Sequence, residues 1–151
     1  MSHEERDLLE SALIAIRAVK TGPTPEDLEN APILDLWRPL ANAHGAVVLW
    51  GQVTGHPRIT ASRIITSRLF ALDRQAGWAR TYSRWYRLGE PFSEFEANVA
   101  RDLKISEVKR GVISFEVAGF VPVDDPDLLD RLMAAFIARV HTAEAERHRR
   151  H

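Results

Sequence analysis

Apolar residues repeat at helical spacing at both ends of this chain and at strand spacing between them, and this change of period constrains the fold more than any other feature. Near the start, Leu8, Leu9, Ala12, Leu13, Ile16 and Val19 make one helical stripe. Gly22 and Pro23 end it, the glycine as a C-terminal cap and the proline as a residue that cannot continue the ladder. Thr24, Pro25 and Asp27 predict a second, short helix reaching to Ala31 and Pro32: a hydroxyl cap, a proline at the first position and a carboxylate at the positive end of the dipole. At the far end Asp125 and Pro126 open a long helix on which Leu128, Leu129, Leu132, Met133, Phe136, Ile137 and Val140 recur, before the polar tail "EAERHRRH".

From Ala46 the residues become β-branched and aromatic. "AVVLWGQVTG" predicts a strand, and "HPR" after it a turn. "RIITSRLFALD" and "GWARTYSRWYRLG" predict two more strands, joined by "DRQAG", a glycine-containing loop of hairpin length. "FSEFEANVARDL" predicts a helix with Ser93 and Glu96 as a capping box and Phe95, Val99 and Leu103 on one face. In "GVISFEVAGFVPV", Ile113, Phe115 and Val117 alternate with Ser114 and Glu116, which predicts a later strand. "ILDLWRPLANAHG" fits neither period, and Trp37 and Leu40 are expected to pack beneath the strands. The expected fold is α+β: one domain over residues 1–151, with a small antiparallel sheet (a three-stranded meander plus a later strand) flanked by N-terminal helices and a long C-terminal helix. A chain of 151 residues can bury about two thirds of its unfolded surface and needs no staples.

Composition narrows the chemistry. Cysteine is absent, which excludes disulfides, thiol nucleophiles and thiolate metal sites and is compatible with a reducing compartment. Glu4, Glu5, Asp7 and Glu10 stand where a secretory signal would carry a basic start and an apolar run. No apolar stretch approaches the roughly 20 residues of a membrane-spanning helix. The expectation is a cytoplasmic protein with no membrane partner. Its net charge of −1 hides an asymmetry: residues 1–50 carry −4, residues 51–89 carry +6 and residues 90–151 carry −3, and all seven bases of the middle segment are arginine.

Ser67 to Gly89 sets five arginines among two tryptophans, two tyrosines and one phenylalanine, with Asp73 the only acid. On one regular strand Trp78, Arg80, Tyr82, Arg84 and Tyr86 would share a face, and Ala79, Thr81, Ser83 and Trp85 the other. Two readings stand side by side. Facing solvent, guanidinium groups would pair with phosphates while rings stack on bases, at about 1–3 kcal/mol per stacked base. Facing inward, the rings would join the core while the arginines snorkel or pair with acids on the flanking helices. The candidate anion- or nucleic-acid-binding residues are Arg58, Arg68, Trp78, Arg80, Arg84, Tyr86 and Arg87.

Other constellations carry less. "TGHPR" offers His56 as a proton donor or acceptor and Arg58 as an anion holder, or simply a turn shaped by its glycine and proline. No base is placed beside Thr66, Ser67 or Ser83, so no catalytic residue is assigned. His148 and His151 are spaced i, i+3 with His141 upstream, but no acidic residue joins them in a metal-binding pattern. Neither GxGxxG nor GxxxxGK[ST] occurs, and no cofactor is expected. The functional expectation is a non-enzymatic binding module whose arginine and aromatic face contacts an anionic partner, nucleic acid included. The alternative is a homodimerising or protein-interaction module that uses the apolar C-terminal helix.

The segments "LDLW", "VTGHPR", "ITS", "LD" and "GWARTYSRWYRLG" resemble an uncharacterised family of small bacterial proteins, a domain of unknown function. The resemblance covers Leu34 to Pro91 and leaves the C-terminal helix outside. It implies a bacterial, cytoplasmic protein and no mechanism.

Overall fold

Both ends of the chain form helices, as their stripes require. The structure, a computed structural model, describes residues 2–58, 62–104 and 115–149. Helix α1 (His3–Thr21) starts in a capping box: the Ser2 hydroxyl accepts from the Glu5 N–H at 3.1 Å, and the Glu5 carboxylate accepts from the Ser2 N–H at 3.3 Å. It stops at Gly22, whose φ of 80° favours glycine. Leu9, Ala12, Ala15 and Ile16 are buried, whereas Leu8 lies at the exposed margin of the stripe. Helix α2 (Pro25–Glu29) carries the expected cap, with Thr24 and Asp27 bonded reciprocally at 2.9 and 3.0 Å.

The segment that fitted neither period is the central strand. Strand β1 (Ile33–Asn42) pairs antiparallel with β2 (Val47–Thr54) along its length. Its register breaks between Asp35 and Arg38, where Leu36 takes a φ of 52°, and Pro39 follows within the strand. This irregularity masks the alternation in sequence, because a bulge shifts the period by one residue and proline is normally confined to such places.

Two of the expected strands each divide in two. "RIITSRLFALD" makes β3 (Arg63–Ile65) and β4 (Leu69–Asp73); "GWARTYSRWYRLG" makes β5 (Trp78–Thr81) and β6 (Trp85–Leu88). At the first break the buried Thr66 hydroxyl accepts from the Leu49 N–H at 3.0 Å and donates to the Ser67 carbonyl at 2.8 Å. At the second, the Thr81 N–H donates to the Arg84 carbonyl at 3.0 Å and reverses the chain. The strand order is β3-β2-β1-β6-β5-β4, with β7 (Phe120–Pro122) beside the C-terminal half of β1. The sheet is therefore larger than the expected meander and is mixed, because β1 and β6 run parallel. Strands β3 and β4 occupy opposite edges yet are joined by residues 66–68 alone, a link that reaches about 14 Å at full extension. The sheet must curl until those edges approach.

Leu34, Leu49, Leu69, Ala79 and Tyr86 fill the inner side of the curl, joined by Leu129 and Met133 of helix α4 (Pro126–Arg149). Further along, Phe136 and Val140 of α4 pack with Leu9, Ala12 and Ile16 of α1 against Phe70. The apolar stripe of the long helix is thus used within its own chain. Helix α3 (Phe92–Asp102) covers another part of the sheet, where Phe92, Phe115 and Trp50 meet edge to face at 5.0–6.0 Å. Its N-cap is Pro91 with no side-chain cap bond, so the expected Ser93 and Glu96 box does not form; Ser93 stands inside the helix. Phe95 and Val99 are half-buried and Leu103 is exposed. The expected later strand begins outside the described residues, at Ile113 and Ser114; Phe115 and Val117 are not in a strand, and the pairing belongs to Phe120–Pro122. His151 also lies outside the described residues. No helix among the described residues is long and apolar enough to cross a membrane.

Candidate anion-binding site

The reversal after Thr81 redistributes the arginines and aromatics. A single strand would have placed Trp78, Arg80, Tyr82, Arg84 and Tyr86 together. In the hairpin, Trp78 pairs with Arg87, Ala79 with Tyr86, and Arg80 with Trp85. Ala79 and Tyr86 face the core at 0 % and 3 % exposure, and Trp78, Arg80, Trp85 and Arg87 share the opposite face. There the two indoles meet edge to face at 5.3 Å, with the Arg80 guanidinium 5.2 Å from the Trp85 ring. Trp85, expected on the other side, and Tyr86, expected beside Trp78, have exchanged faces relative to a single regular strand. The only local signal for the turn is Ser83, since no glycine, proline or asparagine marks it.

The seven candidates consequently fall into three places. On the hairpin's outer face, Arg87 donates from Nε and Nη2 to the Ala31 carbonyl at 3.2 and 3.0 Å, tying the end of α2 to the sheet. Arg80 donates from Nε to the Thr81 carbonyl at 3.0 Å; burial lowers its pKa, opposed by the nearby Asp27. Trp78 also borders an open cleft of about 340 Å³ formed with Arg74, Leu129 and Asp130.

Arg68 sits elsewhere, 3.5 Å from the Phe136 ring centroid and against α4, so it does not join the hairpin face. Burial lowers its pKa, Arg139 adds to that, and Tyr82 opposes it. Tyr82 belongs to the α1–α4 core, 4.9 Å from Phe70.

The third place is built from two turns. The β2–β3 loop leaves through Gly55, at a φ of 80°, and presents His56 and the exposed Arg58. The β5–β6 turn presents Arg84. The His56 and Tyr86 rings lie 6.4 Å apart, and His56 Nδ1 accepts from the Arg58 backbone N–H at 3.1 Å. Partial burial, then the Arg84 charge, then the Arg58 charge hold the imidazole below its ordinary pKa of 6.5. Burial pushes the Tyr86 hydroxyl above its ordinary 10, partly offset by Arg84. Sequence reasoning noticed His56 but had no reason to join it to Arg84, 28 positions away.

Two arginines outside the basic centre have carboxylate partners. Arg38 meets Asp124 through both carboxylate oxygens at 3.0 and 2.7 Å, between the Phe92 and Phe115 rings, and Arg147 meets Glu10 at 3.7 Å. Among the described residues, no ion pair joins a carboxylate to any of the seven arginines of residues 51–89.

A family model matches residues 1–148. The chain belongs to a family of unknown function, DUF6634. The match takes in the C-terminal helix, which the resemblance over residues 34–91 left outside. No curated protein and no solved structure matches the chain.

Proposed function

We propose that this DUF6634 protein is a non-enzymatic binding module that holds an anionic partner, nucleic acid foremost, through its basic centre. One observation carries the reading: seven arginines are gathered in residues 51–89 with no carboxylate partner among the described residues, while Arg38 has a bidentate one. Guanidinium groups that no carboxylate holds in an ion pair, Arg58 and Arg84 above all, remain available to external phosphates. Arg58 and Arg84 supply the contacts at the turns, and Trp78 and Trp85 an aromatic surface on the hairpin's outer face. Arg80 and Arg87 are partly committed to backbone carbonyls, and the buried Tyr86 ring is a wall rather than a stacking platform. Self-association through α4 would have to draw on the stripe formed by Leu129, Met133, Phe136 and Val140, which is buried in its own chain. A bacterial cytoplasmic setting belongs to the same proposal, on the resemblance over residues 34–91 and a cysteine-free composition suited to a reducing compartment.

The test is fluorescence anisotropy of labelled single- and double-stranded oligonucleotides titrated with the protein at low and physiological salt. Salt-sensitive binding is expected, lost in the Arg58→Glu, Arg84→Glu double variant while its circular dichroism stays native. Undiminished binding by that folded variant, or no binding even at low salt, would remove the proposal.

A further inference from the structure

The two turns that meet at His56 present a donor set more specific than a basic surface. Because the Arg58 backbone N–H donates to Nδ1, the neutral imidazole carries its proton on Nε2. Partial burial, and after it the charges of Arg84 and Arg58, favour that neutral form at pH 7. The cluster therefore combines two positive guanidinium forks with one uncharged N–H donor, and Tyr86 closes one side.

Resting on the anion-binding reading, we propose that His56, Arg58 and Arg84 form a site for a phosphate monoester. Charge and the number of donors both select this group. A monoester carries about −1.5 to −2 at pH 7 and three terminal oxygens, which matches two guanidinium charges, two forks and an N–H. A carboxylate has one charge and two oxygens. A backbone phosphodiester also has one charge and two free oxygens, so the cluster prefers a terminal phosphate over the middle of a strand. The Nε2–H adds direction without adding a third positive charge, whose repulsion would oppose assembly of the empty site.

Histidine side-chain NMR at pH 7, with inorganic phosphate and phenyl phosphate as probes, reads the site directly. The His56 resonances should shift saturably, while those of the other five histidines stay in place. Arg84→Gln should weaken the apparent affinity at least tenfold, and Arg84→Lys, which keeps the charge but loses the fork, should fall between. Anisotropy with one oligonucleotide bearing either a 5′-phosphate or a 5′-hydroxyl gives the second arm. A preference of at least fivefold for the phosphorylated end, lost in His56→Ala and in Arg84→Gln, supports the site and assigns it to nucleic-acid ends. Saturable His56 shifts without that preference also support it and assign it to small phosphorylated molecules. If His56 is silent to both small probes and both oligonucleotides bind equally, this site is refuted while the broader anion surface stands. If nothing binds, both fall.

Discussion

Phe136→Ala separates an internal role for the long helix from an interface. Phe136 is 8 % exposed and lies 5.3 Å from Phe70, 6.2 Å from Tyr82 and 3.5 Å from the Arg68 guanidinium. An aromatic side chain buries roughly 150–250 Å², so about nine tenths of that at 25 cal/mol/Å² is worth about 3–6 kcal/mol. Alanine retains part of this, and the unfilled space and the lost cation–π contact add to the cost. The expected destabilisation is about 3–5 kcal/mol. At roughly 2–4 °C per kcal/mol for a chain of this size, Tm should fall by about 6–20 °C. Thermal melts followed by circular dichroism at two protein concentrations tenfold apart measure it, and the fall should be the same at both. A loss below about 3 °C, or one that grows on dilution, would mean that the stripe is stabilised by another copy rather than by α1 and the sheet.

Further outcomes follow from other positions. A Cβ at Gly51 would stand 2.6 Å from Leu34 Cγ and 3.0 Å from the Asp35 carbonyl, so Gly51→Ala should lower the urea midpoint by the equivalent of about 1–3 kcal/mol with an unchanged m-value. His56 should titrate below 6.5, so its contribution to stability is present above that pH and is lost as pH falls through the folded-state pKa; Arg84→Ala should move the NMR midpoint up toward 6.5. Arg38→Met removes the bidentate bond to Asp124 and the contact with two rings. It should destabilise the protein by about 1–3 kcal/mol in denaturant titrations and leave anion binding unchanged.

The helical ends were legible because their signals are local: Thr24 with Asp27, glycine after α1 and proline at the start of α2 all act within one turn of chain, although the Ser2–Glu5 box that opens α1 went unread. The sheet was legible as β-rich sequence but not as topology. Strand β1 was obscured by the Leu36 irregularity and by Pro39, two departures that erase a period of two. The β5–β6 reversal was missed because Tyr82, Ser83 and Arg84 contain no strong turn former, and the turn is held instead by the Thr81–Arg84 bond and by the Tyr82 N–H donating to the Arg68 carbonyl at 3.1 Å. That one omission inverted the predicted faces, moving Trp85 out beside Trp78 and Tyr86 into the core. The charge asymmetry of residues 51–89 was visible from the start. That Arg58 and Arg84 meet at His56 depends on strand order, and no local pattern encodes it.

The central claim is that Arg58 and Arg84 make direct phosphate contacts. The dependence of single-strand affinity on salt measures such contacts by number, since each phosphate neutralised adds about −0.7 to the slope of log K against log salt. Comparing the protein with the Arg58→Gln, Arg84→Gln variant should show the slope become shallower by about 0.7 where both arginines hold one phosphate and by about 1.4 where each holds its own. An unchanged slope in a folded variant would place the contacts elsewhere and contradict the account.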